Sequence, residues 1–147
     1  MNETEKRIIQ LIDEHREELI AMGNELYTRA ERGFAEVNTS AFIADKLKKL
    51  GLNVQTGLAG TGLRASAGKE GGVNVALISE LDGILCPSHP QAAPDGMSHA
   101  CGHHAQMTAM LGAAIALTCP EVAAELDGQA TFFAVPSEEF LSEDIRC

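Results

Sequence analysis

The hydrophobic residues near the start of the chain follow a helical period. Over residues 3–30 they recur three and four positions apart, which places them in one stripe along a helix. Asn2 and Glu5, three residues apart, predict a capping box at its start. A second stripe predicts a helix over residues 39–50, with lysines in its last turn and Gly51 just beyond its end.

Beyond Gly51 the period changes to the alternation of a β-strand. Residues 52–56 and 63–67 predict two short strands, and residues 69–72 predict a hairpin-type turn after them. Residues 73–78 form a nearly continuous apolar run, which is typical of a strand covered on both faces. A second apolar run predicts a buried strand over residues 129–135.

A loop and a helix separate the last two predicted strands. Three prolines and a glycine exclude a regular element from residues 84–100, whereas the small residues of 103–118 predict a helix that packs closely on a sheet. The order of elements predicts a three-layer αβα domain with a mixed sheet. In such folds, ligands bind beyond the carboxyl ends of the strands.

The composition restricts the classes of partner that this domain is expected to bind. The chain has 147 residues, 11 basic and 21 acidic, and a net charge of −10, which argues against a nucleic acid or an anionic membrane. No apolar run reaches the roughly 18 residues of a membrane span, and the polar N-terminus predicts no signal peptide. The four cysteines lack the spacing of a disulfide framework, which favours reduced thiols and a cytoplasmic location.

Residues 99–104 place a thiol and three imidazoles directly before the helix over 103–118. Cys101 and His103, two positions apart, are able to face one point in space and are candidate metal ligands. The helix N-terminus is expected to favour the Cys101 thiolate, the form that binds a metal. The pair by itself is a weak signal, because a buried free cysteine beside a capping histidine has the same spacing.

Candidate carboxylates follow both buried strands. Glu138 and Glu139 come directly after residues 129–135, and one of them could bind a metal while the other transfers a proton. Asp82 follows residues 73–78 and could accept the second N–H of His103. The alternative for Glu138 and Glu139 is a pair of solvated loop acids. The alternative for Asp82 is an ordinary turn residue. Glu80 is a second, weaker candidate for the role of Asp82.

The remaining histidines and cysteines receive more modest interpretations. His99 stays open between a metal ligand, a group that polarises a substrate carbonyl and a polar loop residue. His104 is interpreted as a polar loop residue, His15 as a core histidine on the first helical stripe, and His89 receives no role. The other cysteines are interpreted as bystanders: Cys86, Cys119 and Cys147.

Several motifs occur in the order and spacing of a known family. They are Gly33-Phe34-x-Glu36-x-x-Thr39, Gly60-Thr61-Gly62, Val75-Ala76-Leu77, Leu81-Asp82, His99-Ala100-Cys101-Gly102-His103, Leu111-Gly112-Ala113-Ala114 and Pro136-x-Glu138-Glu139. The chain resembles the aminoacylase/carboxypeptidase family of dinuclear metallohydrolases. Within it, the resemblance is to amidohydrolases that cleave N-acyl amino acids, such as hippurate and aminobenzoyl-glutamate hydrolases.

This resemblance implies a metal site and a substrate class. Cys101 would bridge two divalent ions, His103 and Glu139 would each bind one of them, and Glu138 would be the general base. The metal would be zinc, manganese, cobalt or nickel, and the substrate a small N-acyl amino acid or a dipeptide-like molecule. The family has a zinc-peptidase-like αβα catalytic domain, interrupted by a smaller lid domain that often makes homodimers.

The sequence also departs from the family pattern. Where the branch commonly reads Cys-Gly-His-Asp-Gly-His, residues 101–106 read Cys-Gly-His-His-Ala-Gln, and the usual Asp-x-Asp is Glu80-Leu81-Asp82. Family members supply two further histidine ligands and the lid after the glutamate pair. Residues 1–147 are therefore expected to be the N-terminal part of the catalytic domain, without the lid and the C-terminal part. The alternatives are a truncated, inactive fragment and a thiol hydrolase with Cys101 as nucleophile.

Overall fold

The computed structural model describes residues 1–139, which form a mixed α/β fold. The helices are α1 (Glu3–Glu14), α2 (Arg16–Tyr27), α3 (Val37–Lys49), α4 (His103–Thr118) and α5 (Pro120–Ala124). The strands are β1 (Val54–Leu58), β2 (Gly62–Gly68), β3 (Val73–Glu80), β4 (Ile84–Leu85), β5 (Met97–Ser98) and β6 (Gly128–Val135). Among these residues, no helix is long and apolar enough to cross a membrane.

The main sheet has four strands in the order β1-β2-β6-β3. β2 is antiparallel to β1 and to β6, whereas β3 runs parallel to β6, so the predicted mixed sheet is confirmed. The predicted hairpin-type turn at residues 69–72 is wrong, because β6 lies between β2 and β3. That segment instead carries the chain across one end of the sheet.

The first predicted helix is split in two at His15. Main-chain hydrogen bonds continue through the junction, from His15 N to Leu11 O at 3.1 Å and from Leu19 N to His15 O at 2.9 Å. The predicted core position of His15 is wrong: its side chain is 39% exposed and its Nδ1 lies 3.0 Å from a carboxylate oxygen of Glu18. At the surface the imidazole keeps a polar partner and water, which a core would deny it.

The start of α1 and the end of α3 follow the local sequence closely. The predicted capping box is confirmed, since Glu5 N donates to the Asn2 side chain and Asn2 N donates to Glu5, both at 2.8 Å. Gly51, directly after the C-cap of α3, has a φ of +81°, the left-handed conformation that glycine adopts readily. These local rules operate within a few residues and need no tertiary contact.

The main hydrophobic core lies between the helices and one face of the sheet. Phe132 of β6 is fully buried there, and β2 contributes small residues that let the helices approach closely. α4 contacts β2, β3 and β6, and α1, α2 and α3 pack against α4. The central helix is therefore held on several sides, which fixes the position of its N-terminus relative to the strand ends.

β3 differs most from its prediction. It is an edge strand, and among residues 1–139 only β6 pairs with it in the main sheet. Val73, Val75 and Ile78 are 74%, 57% and 64% exposed, so the expectation of a strand covered on both faces is wrong for the described residues. The apolar run indicates an interior strand, but the second neighbour that an interior strand needs is not supplied by this part of the chain.

Three short elements were not predicted. β4 and β5 form a two-stranded antiparallel pair inside the segment predicted to be a loop, and the short helix α5 follows α4. The prolines lie between or beside these elements and not within β4 or β5, so the physical argument against proline in a strand still holds. The β4–β5 pair forms one wall of the cavity described below.

Candidate metal centre

The parallel pairing of β3 and β6 brings the candidate residues to one edge of the sheet. The two strands are in register to their last residues, with Glu80 opposite Val135. Asp82 and the pair Glu138–Glu139 each follow within a few residues, so they emerge side by side. α4 begins at His103, at the same edge. The structure therefore places all of these groups together, as the strand order required.

His103 is at the centre of the cluster and is 1% exposed. Its Nδ1 lies 2.8 Å from the main-chain oxygen of Asp82 and 3.4 Å from the Asp82 side-chain oxygen Oδ1. The close partner of His103 is thus the Asp82 carbonyl, with the carboxylate slightly farther away. A donor at Nδ1 leaves Nε2 as the lone-pair nitrogen of the neutral ring.

Three carboxylates face that second nitrogen. His103 Nε2 lies 3.0 Å from Glu80 Oε2, 3.7 Å from Glu138 Oε2 and 4.0 Å from Glu139 Oε1. A ring lone pair and several anionic oxygens that converge on one region repel one another unless a cation lies between them. This donor set fits a divalent metal ion.

The ligand atoms form two overlapping groups that meet the spacing of a metal site. In the first group, atoms of Cys101, His103 and Glu139 lie within 4.8 Å of one another, and in the second group those of Glu80, His103 and Glu138 do. His103 belongs to both groups. The mixture of thiol, imidazole and carboxylate matches the ligands that zinc and other first-row divalent ions accept.

Cys101 is exposed and precedes the first residue of α4 by two positions. The hydrogen bond of its thiol to Glu139 raises the pKa of Cys101 to about 11, and burial and the charges of Glu139, Glu138 and Glu80 add to this rise. The expectation that the helix N-terminus would favour the thiolate is wrong for the metal-free site. Full negative charges nearby outweigh the partial charge of a helix end.

We expect Cys101 of the metal-free protein to react slowly with iodoacetamide. Because its pKa is about 11 and not 9.0, its thiolate fraction below pH 9 should be lower by roughly a hundredfold. The alkylation rate at Cys101, followed by peptide mass spectrometry, should rise about tenfold per pH unit up to about pH 11. Glu139→Gln should accelerate the reaction at pH 8, and an unchanged rate would contradict this account.

Gln106 is a polar residue of this site that the sequence analysis did not identify. Its Nε2 donates to Glu80 Oε2 at 2.9 Å, and Glu80 N donates to Gln106 Oε1 at 3.4 Å. Gln106 lies three positions after His103, one turn along α4, and this spacing was the available signal. It orients the Glu80 carboxylate toward His103 from a position where the family commonly has histidine.

The other histidines form a separate group beside the site. His99 is 3% exposed, and among the described residues neither of its ring nitrogens has a hydrogen-bond partner. Burial, with smaller contributions from His104 and His103, lowers the pKa of His99 to about 4, so the ring is neutral at ordinary pH. Its ring centroid is 5.8 Å from that of His104, which in turn lies 4.6 Å from that of Tyr27.

None of these three rings belongs to either group of possible metal ligands among residues 1–139. His89, to which no role was assigned, lies with its Nε2 3.5 Å from the Tyr27 hydroxyl oxygen. Cys86 and Cys119 are free thiols outside the ligand groups, and Cys147 lies outside the described residues.

A cavity of about 390 Å³ adjoins the candidate ligands. The β4–β5 pair and Gly83 form much of its wall, which is largely apolar, and Arg32 and Asp95 add charged groups. Glu139 lines the same cavity, so a molecule bound there would reach the candidate metal ligands directly.

Comparison with known proteins gives relatives but no family-profile match. The chain is 31% identical over 126 residues to IAA-amino acid hydrolase ILR1-like 4 of Arabidopsis thaliana, which covers 82% of the chain and 28% of that protein. It is 32% identical over 127 residues to N-acetyl-L-cysteine deacetylase of Bacillus subtilis, covering 83% of the chain and 30% of that protein.

One relative has a different name. A Rhodococcus jostii protein, provisionally named glutamate–cysteine ligase 2-3, is 35% identical over 104 residues, which are 68% of this chain but only 13% of that protein. Most of that longer protein lies outside the match. Its name therefore carries little weight for this chain.

Solved structures show the same fold. A Bacillus subtilis protein described as a dinuclear metal-binding peptidase of the M20 family superimposes with a TM-score of 0.75 at 29% identity, covering 86% of this chain and 36% of that one. A Staphylococcus aureus protein, provisionally described as an aminohydrolase, gives a TM-score of 0.81 at 24% identity, covering 92% and 36%. In sequence and in fold, the chain is thus a homologue of the amidohydrolases and dinuclear M20 metallopeptidases, and it spans about a third of the length of these relatives.

Proposed function

We propose that residues 1–147 form the N-terminal part of the catalytic domain of a metal-dependent amidohydrolase. Its reaction would be hydrolysis of the amide bond of N-acyl amino acids or small peptides. The observation that carries this proposal is the convergence of Cys101, His103 and Glu139 within 4.8 Å, with Glu138 beside them. Two relatives, an IAA-amino acid hydrolase and an N-acetyl-L-cysteine deacetylase, have names that support the same reaction class.

Cys101, His103 and Glu139 would hold the metal. A divalent ion there supplies a Lewis acid that polarises the amide carbonyl and lowers the pKa of water. The donor set suits zinc and is compatible with manganese, cobalt or nickel. Asp82 would act as a positioning residue, because it fixes the orientation of the His103 ring through Nδ1.

Glu138 is assigned the proton transfers. Its side chain is 51% exposed, so water and substrate are able to reach it, and its Oε2 lies 3.7 Å from His103 Nε2. In this role the carboxylate accepts a proton from the attacking water and delivers it to the nitrogen of the leaving amine. Glu139 lies deeper, at 20% exposure, which suits a ligand better than a proton carrier.

The cavity beside Glu139 is proposed to take the non-reacting part of the substrate. Ile84, Leu85 and Met97 offer apolar contacts to an acyl group or side chain. The proposed partner is a small N-acyl amino acid or dipeptide-like molecule. The free thiols of the described residues are compatible with a reducing compartment, and we propose the cytoplasm.

The test of this proposal is metal content. Elemental analysis after gentle purification should find one to two equivalents of a divalent ion per chain, and Cys101→Ser should lose most of it. Cys86→Ser, which removes a free thiol outside the ligand groups, should leave the content unchanged. A metal-free wild-type protein that also fails to take up zinc, manganese, cobalt or nickel would contradict the proposal.

A second candidate concerns this chain by itself. The exposed apolar residues of β3 favour a fragment that keeps the fold and binds metal without turnover, and that associates with further copies. Hydrolysis of N-acetyl amino acids by a clean monomer would contradict it. The thiol-hydrolase alternative loses support, because the raised pKa of Cys101 opposes its use as a nucleophile in the metal-free site.

A further inference from the structure

We propose that Glu36 is a positioning residue that fixes the main-chain turn carrying Glu138 and Glu139. The inference rests on the proposed metal site. It adds to that site a residue that lies 101 positions before Ser137 in the chain. Glu36 contributes no ligand atom to either group of possible ligands in the described part of the chain. It would act through the main chain of Ser137.

Glu36 is a carboxylate with 0% exposure. Its Oε1 accepts a hydrogen bond from Ser137 N at 2.9 Å, and its Oε2 accepts one from Thr61 Oγ1 at 2.5 Å. A buried charged group is unfavourable unless hydrogen bonds satisfy it, so these two bonds must be kept in the folded state. The carboxylate therefore ties the β1–β2 turn to the residue just before the glutamate pair.

Ser137 has an unusual backbone conformation. Its φ is +58°, in the left-handed region that non-glycine residues seldom occupy. Such a conformation persists only where surrounding contacts hold it, and it is concentrated at functional sites. The bond from Ser137 N to Glu36 is a contact of this kind. Here the strained residue directly precedes Glu138.

A second buried carboxylate holds the other side of the turn. Asp82, which is 0% exposed, accepts a hydrogen bond from Glu139 N to its Oδ2 at 2.8 Å. The amides on both sides of Glu138 are thus fixed by carboxylates from two different parts of the chain. This arrangement directs Glu138 and Glu139 toward His103, where their oxygens lie 3.7 and 4.0 Å from Nε2.

Helix capping does not account for Glu36. Although Glu36 occupies the N-cap position of α3, the capping bonds come from Glu31, whose carboxylate accepts Asn38 N at 3.1 Å, Thr39 N at 2.7 Å and Thr39 Oγ1 at 2.8 Å. Glu31 and Glu36 lie in the same loop, and each carboxylate makes several hydrogen bonds. Of these two carboxylates, Glu36 bonds to Ser137 of the glutamate turn, whereas Glu31 bonds to Asn38 and Thr39 at the start of α3, so Glu31 is the matched control.

We expect Glu36→Ala to weaken zinc binding by roughly 10- to 100-fold, the range found when groups that orient metal ligands are removed. Glu36→Gln, whose side-chain oxygen is still able to accept from Ser137 N, should restore zinc affinity to within about threefold of wild type. Glu31→Ala should lower the thermal midpoint about as much as Glu36→Ala does, but it should leave the zinc affinity unchanged. Zinc affinity is measured by competition with a chromophoric chelator.

Hydrogen exchange of the Ser137 and Glu139 amides in the metal-free protein is the second measurement. Both amides should exchange faster in Glu36→Ala and not in Glu31→Ala. Equal losses of zinc affinity in the two alanine variants, or unchanged zinc affinity and exchange in Glu36→Ala, would overturn the inference. If Glu36→Ala does not fold, Glu36→Asp replaces it, because its side chain is one methylene shorter. Glu36→Asp is expected to show the same faster amide exchange and weaker zinc binding. Wild-type exchange and wild-type zinc affinity in Glu36→Asp would overturn the inference.

The two proposals fail in different ways. If the wild-type protein binds no zinc, the proposed function fails, and the amide exchange of Ser137 and Glu139 still decides whether Glu36 holds the turn. If the wild-type protein binds zinc and Glu36→Ala binds it equally well, the metal site stands and the positioning role fails.

Discussion

Replacing His103 by alanine is expected to abolish divalent metal binding, with a loss of affinity of roughly 100-fold or more. His103 is shared by both groups of possible ligands, so one substitution removes a ligand atom from each. Four carboxylates, those of Glu80, Asp82, Glu138 and Glu139, would remain around the vacated position. They offer charge but lack the buried nitrogen that completes either group.

Titration of the metal-free protein with zinc or cobalt, followed by calorimetry, measures this loss. Metal at 100 times the wild-type Kd should stabilise the wild-type protein by about 2.7 kcal/mol, and a His103→Ala protein that binds 100-fold more weakly by only about 0.4 kcal/mol. His104→Ala is the matched control, because His104 is adjacent in sequence but belongs to neither group among residues 1–139. One tightly bound equivalent retained by His103→Ala would contradict the assignment.

The second large effect is expected at β3. Val75→Lys combined with Ile78→Lys should convert a self-associating chain into a monomer, lowering the apparent association constant by roughly tenfold or more. The two residues are 57% and 64% exposed and, by their odd separation, lie on opposite faces of an edge strand. Lysine is a residue by which natural edge strands avoid pairing with other chains.

Sedimentation velocity over a range of protein concentrations measures this change. Ile9→Lys combined with Ile20→Lys is the matched control, because these residues are 50% and 48% exposed but lie on the helices α1 and α2. The control pair should leave association unchanged. A wild-type protein that stays monomeric at high concentration, or an equal effect of the two pairs, would show that β3 is not the associating surface.

The two predictions concern separate consequences of one topology. The parallel pairing of β3 with β6 creates the candidate metal centre at the carboxyl ends of these strands. The same position leaves the other edge of β3 without a main-sheet partner in residues 1–139. An apolar edge strand without a partner is a template for pairing with another chain, which is why association is expected.

Much of the local structure was predictable because its causes are local. The capping box at Asn2, the glycine after α3 and the small-residue helix α4 follow from the chemistry of a few neighbouring residues. The grouping of the candidate site was also predictable, since polar residues that follow buried parallel strands emerge at one edge of a sheet. Hydrophobic periodicity and residue type were sufficient for these conclusions.

The errors have a common physical origin. An apolar run like that of β3 indicates that a strand is suited to burial. Burial also requires neighbouring strands or helices, which the run itself does not specify. The supposed hairpin at residues 69–72 failed because β6, from much later in the chain, lies between the two strands. The pKa of Cys101 depends on carboxylates brought close by folding, chiefly that of Glu139.

The amino-acid sequence by itself determined the types of the main elements, the mixed α/β class and most of the candidate metal ligands, because these depend on periodicity and side-chain chemistry. Only the tertiary structure decided the strand order, the exposure of β3, and the contacts of Glu36 and Gln106. Each of these depends on contacts between residues far apart in the chain. The bond from Ser137 to Glu36 spans 101 positions, and no local pattern encodes such a distance.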